Sequence, residues 1–214
     1  MRGKEWIDIS LPVFNGMVGW PGDPVFKRTL FKDMGKGDTV YGSKLELSAH
    51  TGTHLDAPLH FLENGPSVDK LPIGSMVGPS RVVVIKDARA IKPEELAKHS
   101  IRKGERLLLK TVNSGIIGKI RHFRKDYVYL TLDGARYLAE KKVRLVGIDY
   151  YSIGGIDKAA KGRGTHKVLM SANIPIIEGL DLSGVKEGRY DLIVLPLRLA
   201  GSEASPVRAV VRRR

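Results

Sequence analysis

The sequence predicts an α/β fold in which mixed sheets pack against one another and against two or three helices. Short runs rich in valine, isoleucine and leucine recur along the chain, and glycine, proline and charged residues separate them, a pattern typical of strands. Helix signals are fewer. With 214 residues, 42% of them hydrophobic, the chain can bury a sizeable core, and we predict one domain over residues 1–214.

The predicted strands are the runs with the highest density of β-branched and aliphatic residues. They span residues 6–13, 43–49, 81–86, 106–111, 127–131, 144–149, 191–199 and 207–211. Three helices are predicted. One begins at Pro93, because proline suits the first helical turn; a second is capped by Asp133; a third follows Gly164 and carries His166.

Composition narrows the classes of function. The chain has no cysteine, so a metal site must use histidine, aspartate and glutamate. The first residues, MRGKEWIDISLPVF, lack the apolar core of a signal peptide. No apolar run approaches the roughly 20 residues that cross a bilayer. We therefore expect a soluble cytoplasmic protein with no membrane partner.

The formal net charge of +13 raises the alternative of a nucleic-acid partner. The basic residues are scattered along the chain, however, and the only dense run is Arg212 to Arg214 at its end. No nucleic-acid-binding motif accompanies them. We therefore expect no nucleic-acid partner.

Residues 50–61, HTGTHLDAPLHF, concentrate three of the six histidines of the chain. On a helix, His50 and His54 would share a face and could bind a metal together. Gly52 and its threonine neighbours form helices poorly, however, and Pro58 would end one. The segment is therefore interpreted as extended, with a turn at the glycine.

Side chains alternate between the two faces of an extended segment. One face would carry His54, Asp56, Pro58 and His60, and the other face Leu55, Ala57, Leu59 and Phe61. In the preceding residues 44–50, the apolar positions are Leu45, Leu47 and Ala49. We predict that the apolar face is buried and that the other face collects nitrogen and oxygen ligands.

A second group of candidate ligands lies in residues 164–182, GTHKVLMSANIPIIEGLDL. His166 begins an apolar segment and Glu178 stands among isoleucines. An ionised glutamate in such a run is costly unless it is paired or bound to a metal. Taken alone, His166 suits a core or surface position and Glu178 a salt bridge. Together with the first motif, both are interpreted as metal ligands.

At this point the sequence resembles a known family. HTGTHLDAPLHF resembles the HxGTHxDxPxH signature of the cyclase-family metal hydrolases. The resemblance includes IDISLPVFNGMVGWPGDP near the start, VGID at 146–149 and LPLRLAGSEASPVRAVV near the end, so it extends over nearly the whole chain. It implies the swivelling β/β/α fold of that family.

The resemblance also implies a site with two divalent metal ions, zinc by preference and manganese as the alternative. One ion would be held by His50, His54 and Asp56, and Asp56 would bridge to a second ion held by His166 and Glu178. A metal ion can lower the pKa of bound water from 15.7 to about 7, which produces a nucleophile at neutral pH.

Two further residues have implied roles. His60 would be the catalytic acid and base, since an imidazole with a pKa near 6.5 suits proton transfer; the alternative is a further metal ligand. Trp20, in the GWPGDP turn, would line the substrate pocket; the alternative is a surface aromatic residue packed on that turn.

The implied activity is hydrolysis of an amide, most specifically as an arylformamidase that converts N-formylkynurenine to kynurenine and formate. The rivals are a hydrolase of another cyclic or aryl amide, as in the isatin hydrolases, and a metal-binding protein without catalysis. Residues 150–165 are interpreted as a loop beside the pocket, either a mobile lid or an ordinary surface loop. The resemblance and the apolar segment 7–20 predict a homo-oligomer, a dimer or larger.

Overall fold

The computed structural model describes residues 5–156 and 161–214 and confirms the predicted α/β class. Within these residues there are twelve strands and four α-helices. The strands are β1 (Trp6–Asp8), β2 (Lys27–Lys32), β3 (Gly42–Glu46), β4 (His54–Asp56), β5 (Val77–Val84), β6 (Ala90–Ile91), β7 (Arg106–Lys110), β8 (Tyr129–Leu130), β9 (Leu145–Ile148), β10 (Ile176–Glu178), β11 (Gly188–Pro196) and β12 (Ala204–Arg213). The helices are α1 (Ile73–Met76), α2 (Pro93–Ala97), α3 (Leu132–Glu140) and α4 (Gly162–Ser171).

Seven strands close into a barrel-like sheet. Their order is β12, β11, β5, β7, β9, β10 and β4, and β4 pairs back to β12. Strand β1 extends the sheet along β12. The strands β5, β7, β9 and β10 are mutually parallel, so all four finish at one end of the ring and begin at the other.

The central parallel strands have apolar residues on both faces, as expected for strands covered on both sides. Leu107 and Leu109 of β7 pack in the cluster that includes α3 and α4, whereas Leu108 between them packs in the second cluster inside the ring. Gly147 of β9 is required by this packing. A Cβ there would lie 2.7 Å from Leu180 and 2.9 Å from Leu108.

Of the three predicted helices, one starts as predicted and two do not. Helix α2 begins at Pro93 as predicted. Helix α3 is capped by Thr131, whose side chain accepts a hydrogen bond from the Gly134 amide, so the prediction of Asp133 as the cap was wrong. Helix α4 begins at Gly162, two residues before the predicted glycine. Each of these helices within 5–156 and 161–214 is too short or too polar to traverse a lipid bilayer.

The strands β2 and β3 form a separate two-stranded sheet outside the ring. Leu45 is 55% exposed and Leu47 is 41% exposed, so the prediction that the apolar face is buried was wrong at these positions, whereas it is confirmed at Leu55 and Ala57, which are fully buried. Alternation shows that one face is apolar, but not that anything within the chain covers it. The predicted strand 6–13 was also too long, since β1 ends at Asp8, and β2, β6 and β10 were not predicted.

Candidate metal centre

The five predicted ligands meet at the end of the ring where the parallel strands finish. The antiparallel pairing of β10 with β4 sets Glu178 opposite His54 and Ile176 opposite Asp56. His166 approaches from α4, and His50 lies in the turn before β4. The pairing of two short strands therefore unites the two sequence segments.

The ligand atoms form a continuous cluster. Asp56 Oδ1 lies 3.0 Å from His50 Nδ1 and 3.4 Å from His54 Nε2. Glu178 Oε2 lies 3.4 Å from His54 Nε2, and Glu178 Oε1 lies 3.0 Å from His166 Nε2. Each carboxylate therefore lies between two imidazoles, and His54 contacts both carboxylates.

His60 reaches this cluster from a different backbone conformation than predicted. Residues Pro58–His60 form one 3₁₀ turn, closed by a hydrogen bond from the Phe61 amide to the Pro58 carbonyl, so the prediction of continued alternation to His60 was wrong. The turn still places the His60 ring 4.3 Å from the His50 ring, measured between centroids. Donor atoms of His50, Asp56 and His60 lie within 4.8 Å of one another, so the alternative of His60 as a ligand stays open.

Backbone carbonyls fix the orientation of two imidazoles. His54 Nδ1 lies 3.0 Å from the Gly52 carbonyl oxygen, and His166 Nδ1 lies 2.9 Å from that of Gly162. Since a carbonyl only accepts, each Nδ1 carries the proton and donates. Each Nε2 therefore faces a carboxylate, to which it donates when the imidazole is protonated. When a metal ion displaces that proton, the Nε2 lone pair becomes available as a ligand, an arrangement common among metal-bound histidines.

The buried polar atoms of the cluster fit a divalent cation. Among the described residues, His54 Nε2 and both Asp56 carboxylate oxygens are buried without a hydrogen-bond partner in suitable geometry. An unsatisfied buried carboxylate costs several kcal/mol, and a bound cation would offset that cost. Imidazole nitrogen with carboxylate oxygen is a donor set that suits zinc or manganese.

The carboxylates remain ionised in this cluster. Burial by itself would raise the pKa of Asp56, but the imidazoles of His54 and His50 hold it well below its usual value. Burial and Asp56 both act to raise the pKa of Glu178, yet His166 and His54 keep it lowered. In return, Asp56 overcomes the effect of burial on His50 and raises its pKa to about 9.

His60 differs electrostatically from its neighbours. Burial lowers its pKa, and the nearby imidazoles of His50 and His166 lower it further, against the opposite influence of Asp56. The pKa of His50, in contrast, is raised. His60 is therefore neutral at neutral pH and able to accept a proton.

Two glycines and a threonine, which the sequence did not single out as functional, hold the ligand strands together. Gly52 and Gly179 have φ of +66° and +70°, and a Cβ on Gly179 would lie 2.4 Å from the Gly52 carbonyl oxygen. Thr53 Oγ1 donates to the Gly179 carbonyl at 2.5 Å and accepts from the Leu11 amide at 2.8 Å. The available signal was the TGT tripeptide between two ligand histidines.

A cavity of about 480 Å³ opens onto the cluster. Trp20 lines this cavity, and its ring meets Phe123 edge to face at 5.2 Å; its role towards a substrate stays a prediction. The sequence did not identify Phe61 or Arg163, which also line the cavity. Phe61 stacks on the His166 ring at 4.8 Å between centroids, and its adjacency to His60 was the only signal.

The loop that follows β9 is only partly as predicted. Tyr151 lines the cavity, but Tyr150 is fully buried and stacks on Tyr127 at 4.2 Å. Asp149 anchors the start of this loop through hydrogen bonds from the backbone amides and hydroxyls of Thr111 and Ser114. Residues 157–160 lie outside the described residues, so the lid stays a prediction.

Comparison with known proteins agrees with this geometry. A family model described as a putative cyclase matches residues 7–154. The chain is 40% identical to a kynurenine formamidase of Bacillus thuringiensis subsp. konkukian and 39% identical to one of Bacillus anthracis, over 99% of each chain. The chain therefore belongs to the cyclase family.

Solved structures show the same fold. A predicted metal-dependent hydrolase from Bacillus stearothermophilus is similar with a TM-score of 0.84 and 36% identity, covering 99% of this chain and 100% of that one. Isatin hydrolase A from Labrenzia aggregata is similar with a TM-score of 0.85 and 21% identity, covering 98% and 93%. The second likeness concerns the fold alone.

Proposed function

We propose that this chain is a kynurenine formamidase that uses two divalent metal ions, zinc by preference, to hydrolyse N-formylkynurenine to kynurenine and formate. The observation that carries the proposal is the fully buried Asp56 carboxylate, which lies among imidazoles without a hydrogen-bond partner in suitable geometry. Its neighbours His50 and His54, together with His166 and Glu178, line an aromatic-lined cavity. The names and full-length identity of the relatives support the same activity.

The ligand sets follow the two halves of the cluster. His50, His54 and Asp56 would hold one ion, and Asp56, His166 and Glu178 the other, so that Asp56 serves both. When bound, the ions would lower the pKa of water and polarise the formyl carbonyl.

His60 is proposed to move the proton. Its neutral imidazole takes a proton from the water that attacks the formyl carbon. When the carbon–nitrogen bond breaks, it returns that proton to the departing aryl nitrogen, leaving the free amine and formic acid, which loses its proton to solvent as formate. Its lowered pKa and its position beside His50 support this role. A protein that only bound metal would not need such a group.

The cavity also favours a substrate that carries a carboxylate. Among the described residues, Arg163 is the only lysine or arginine that lines it, while Asp23 and Glu178 add negative charge. N-formylkynurenine has an α-carboxylate that a guanidinium can bind through two hydrogen bonds. Trp20 and Tyr151 offer aromatic surfaces for the aryl ring. Isatin is neutral and has no such group.

The oligomeric state and the cellular location are also proposals. The exposed side chains of the β2–β3 hairpin, with Phe31 69% and Tyr41 61% exposed, support a homo-oligomer in which this apolar surface is covered. Function as one domain and a cytoplasmic location are proposed on the sequence argument alone.

The test is turnover by metal-reconstituted protein of three amides: N-formylkynurenine, formanilide and isatin. We expect the highest kcat/KM for N-formylkynurenine, with kynurenine and formate released in equal amounts, and loss of turnover when a chelator removes the metal. Faster turnover of isatin would replace the proposal with an isatin-hydrolase activity. If the metal-loaded protein turned over none of the three amides, the alternative of a metal-binding protein without catalysis would replace the proposal.

A further inference from the structure

A second cavity lies at the opposite end of the ring, where β5, β7 and β9 begin. It is a cleft of about 380 Å³, lined by seven lysine and arginine side chains and a single glutamate. None of its lining residues belongs to the cavity of the metal centre. Part of the positive charge of the chain is therefore gathered in one concave site, and the proposed hydrolysis does not use this site.

The single carboxylate of the cleft is already engaged. Glu105 Oε2 accepts a hydrogen bond from Arg81 Nη2 at 2.7 Å and another from the Arg102 backbone amide at 2.9 Å. It therefore neutralises at most one of the seven cationic side chains.

Arg106, the most buried of the cations, has no carboxylate partner among the described residues. Its guanidinium donates to the backbone carbonyls of Gly74, Ser75 and Pro79. The pKa of Arg106 is lowered by burial and by the nearby charge of Arg144. The fold thus holds two like charges close together on a half-enclosed surface.

The strand register adds another such pair. In the antiparallel pairing of β5 with β11, Arg81 lies directly opposite Arg189. Like charges opposite one another destabilise a sheet. Arg81 is already paired with Glu105, so an anion bound in the cleft would offset mainly the charge of Arg189.

The cleft continues into a groove of different character. The groove is about 660 Å³ and shares Lys103, Gly104 and Arg144 with the cleft. Half of the remaining lining is four prolines and Leu71, and Lys70 and Lys142 also line it. A cationic compartment therefore adjoins one in which apolar and cationic side chains are mixed.

We propose that this end of the ring binds a small organic phosphate, with its phosphate groups in the cationic cleft and its apolar body in the adjoining groove. Arginine recognises phosphate through paired hydrogen bonds. The two volumes fall in the range of roughly 300 to 1,000 Å³ typical of small-molecule sites. A nucleic-acid surface is disfavoured, since the cations converge on one concave cleft and do not form an extended stripe.

The first test is isothermal titration of the metal-loaded full chain, at fixed ionic strength, with ADP, pyrophosphate and adenosine. We expect ADP and pyrophosphate to bind, ADP more tightly because it also fills the groove, and adenosine not to bind measurably. Absence of ADP binding at millimolar concentration, equal binding of adenosine, or tighter binding of pyrophosphate than of ADP would overturn the proposal. Tighter binding of a 20-nucleotide single strand than of ADP would indicate a nucleic-acid surface instead.

The second test assigns the binding to the cleft. The double variant Lys103→Ala, Arg189→Ala removes two exposed cations of the cleft, and we expect its Kd for ADP to rise about tenfold or more. The matched control is Lys86→Ala, Arg89→Ala. It removes the same charge from exposed residues that follow β5 and line neither cavity. We expect its Kd to change by less than about twofold.

If ADP binding weakened equally in both variants, the effect would be due to the overall charge of the chain and not to the cleft. An unchanged Kd in the cleft variant would place ADP elsewhere, the metal centre included. Either result overturns the proposal. Hydrolysis of N-formylkynurenine by both variants should stay at the level of the unmodified chain, so a failure of this proposal is distinguishable from a failure of the proposed function.

Discussion

The two ends of the closed sheet carry opposite chemistry, one where its parallel strands finish and the other where they begin. Where these strands finish, Asp56 and Glu178 are buried among four imidazoles. Where they begin, seven cations line a cleft with one carboxylate. The net charge of the whole chain predicts the local charge of neither end. The comparison shows that strand pairing, more than composition, decides where a charged residue acts.

The largest effect is expected from Asp56→Ala. Because Asp56 lies between two imidazoles and is proposed to serve both ions, its loss removes a shared ligand and leaves two cations poorly neutralised. We expect kcat to fall by roughly 10⁴-fold or more and bound metal to be lost. Elemental analysis and the kinetics of N-formylkynurenine hydrolysis measure both quantities. Retention of metal and of full activity would show that Asp56 is not a ligand.

Substitution of His60 should give the next largest effect. In His60→Ala the proton carrier is lost, and we expect kcat to fall by about 10² to 10⁴-fold, the usual size of general acid–base catalysis. His60→Gln is the matched variant, since it keeps a polar side chain without a titratable group. Full activity in either variant would mean that another group transfers the proton.

The pH dependence of metal binding follows from His50. In the metal-free protein the pKa of His50 is raised to about 9, so below that pH a metal ion must displace a proton from it. We expect the apparent Kd for zinc to rise by at least about tenfold per pH unit as the pH falls from 8 to 6, since the pKa values of His54 and His166 are raised as well. Competition with a chelator at each pH measures this slope. A pH-independent Kd would contradict protonation of the empty site.

A second pH effect concerns the metal-loaded enzyme. The pKa of His60 is lowered, and only its neutral form accepts a proton. We therefore expect kcat to be constant at neutral pH and to decrease only below about pH 6.5, the usual histidine value. If kcat decreased already well above pH 6.5 while the metal was still bound, the pKa of the proton carrier would not be lowered, and the result would contradict the assignment of that role to His60.

Arg163→Ala should have the smallest effect. Loss of the guanidinium is expected to raise KM for N-formylkynurenine by about tenfold with kcat nearly unchanged, since the carboxylate it would bind is remote from the reacting bond. Formanilide, which lacks a carboxylate, is the matched substrate and should show no change. An equal loss with both amides would indicate a structural effect of Arg163.

The meeting of the candidate ligands in one cluster could be predicted because their signal is local. His54 and Asp56 alternate within a short segment, and Glu178 stands in an apolar run where an ionised group needs a partner. The position of His60 on a 3₁₀ turn could not be obtained from the same alternation. Thr131 replaced Asp133 as a helix cap because either side chain can cap a helix, and only the backbone start decides between them.

The cationic cleft could not be predicted, because its residues are distant in the sequence. Arg81, Arg106 and Arg144 lie in or beside three different strands, and each resembles an ordinary surface charge in the sequence. Only the register of the sheet brings Arg81 opposite Arg189. The exposure of Leu45 could not be predicted either, because it depends on what packs against the β2–β3 hairpin and not on the local sequence pattern.

The central claim is that five side chains form a two-metal centre and that His60 lies beside it as the proton carrier. Metal content by elemental analysis, measured together for the reconstituted chain and for His60→Ala, tests it most directly. We expect two ions per chain in both proteins, although His60→Ala is nearly inactive. Loss of metal from His60→Ala would show that His60 is a ligand, and a single ion in the fully active chain would contradict the two-metal centre.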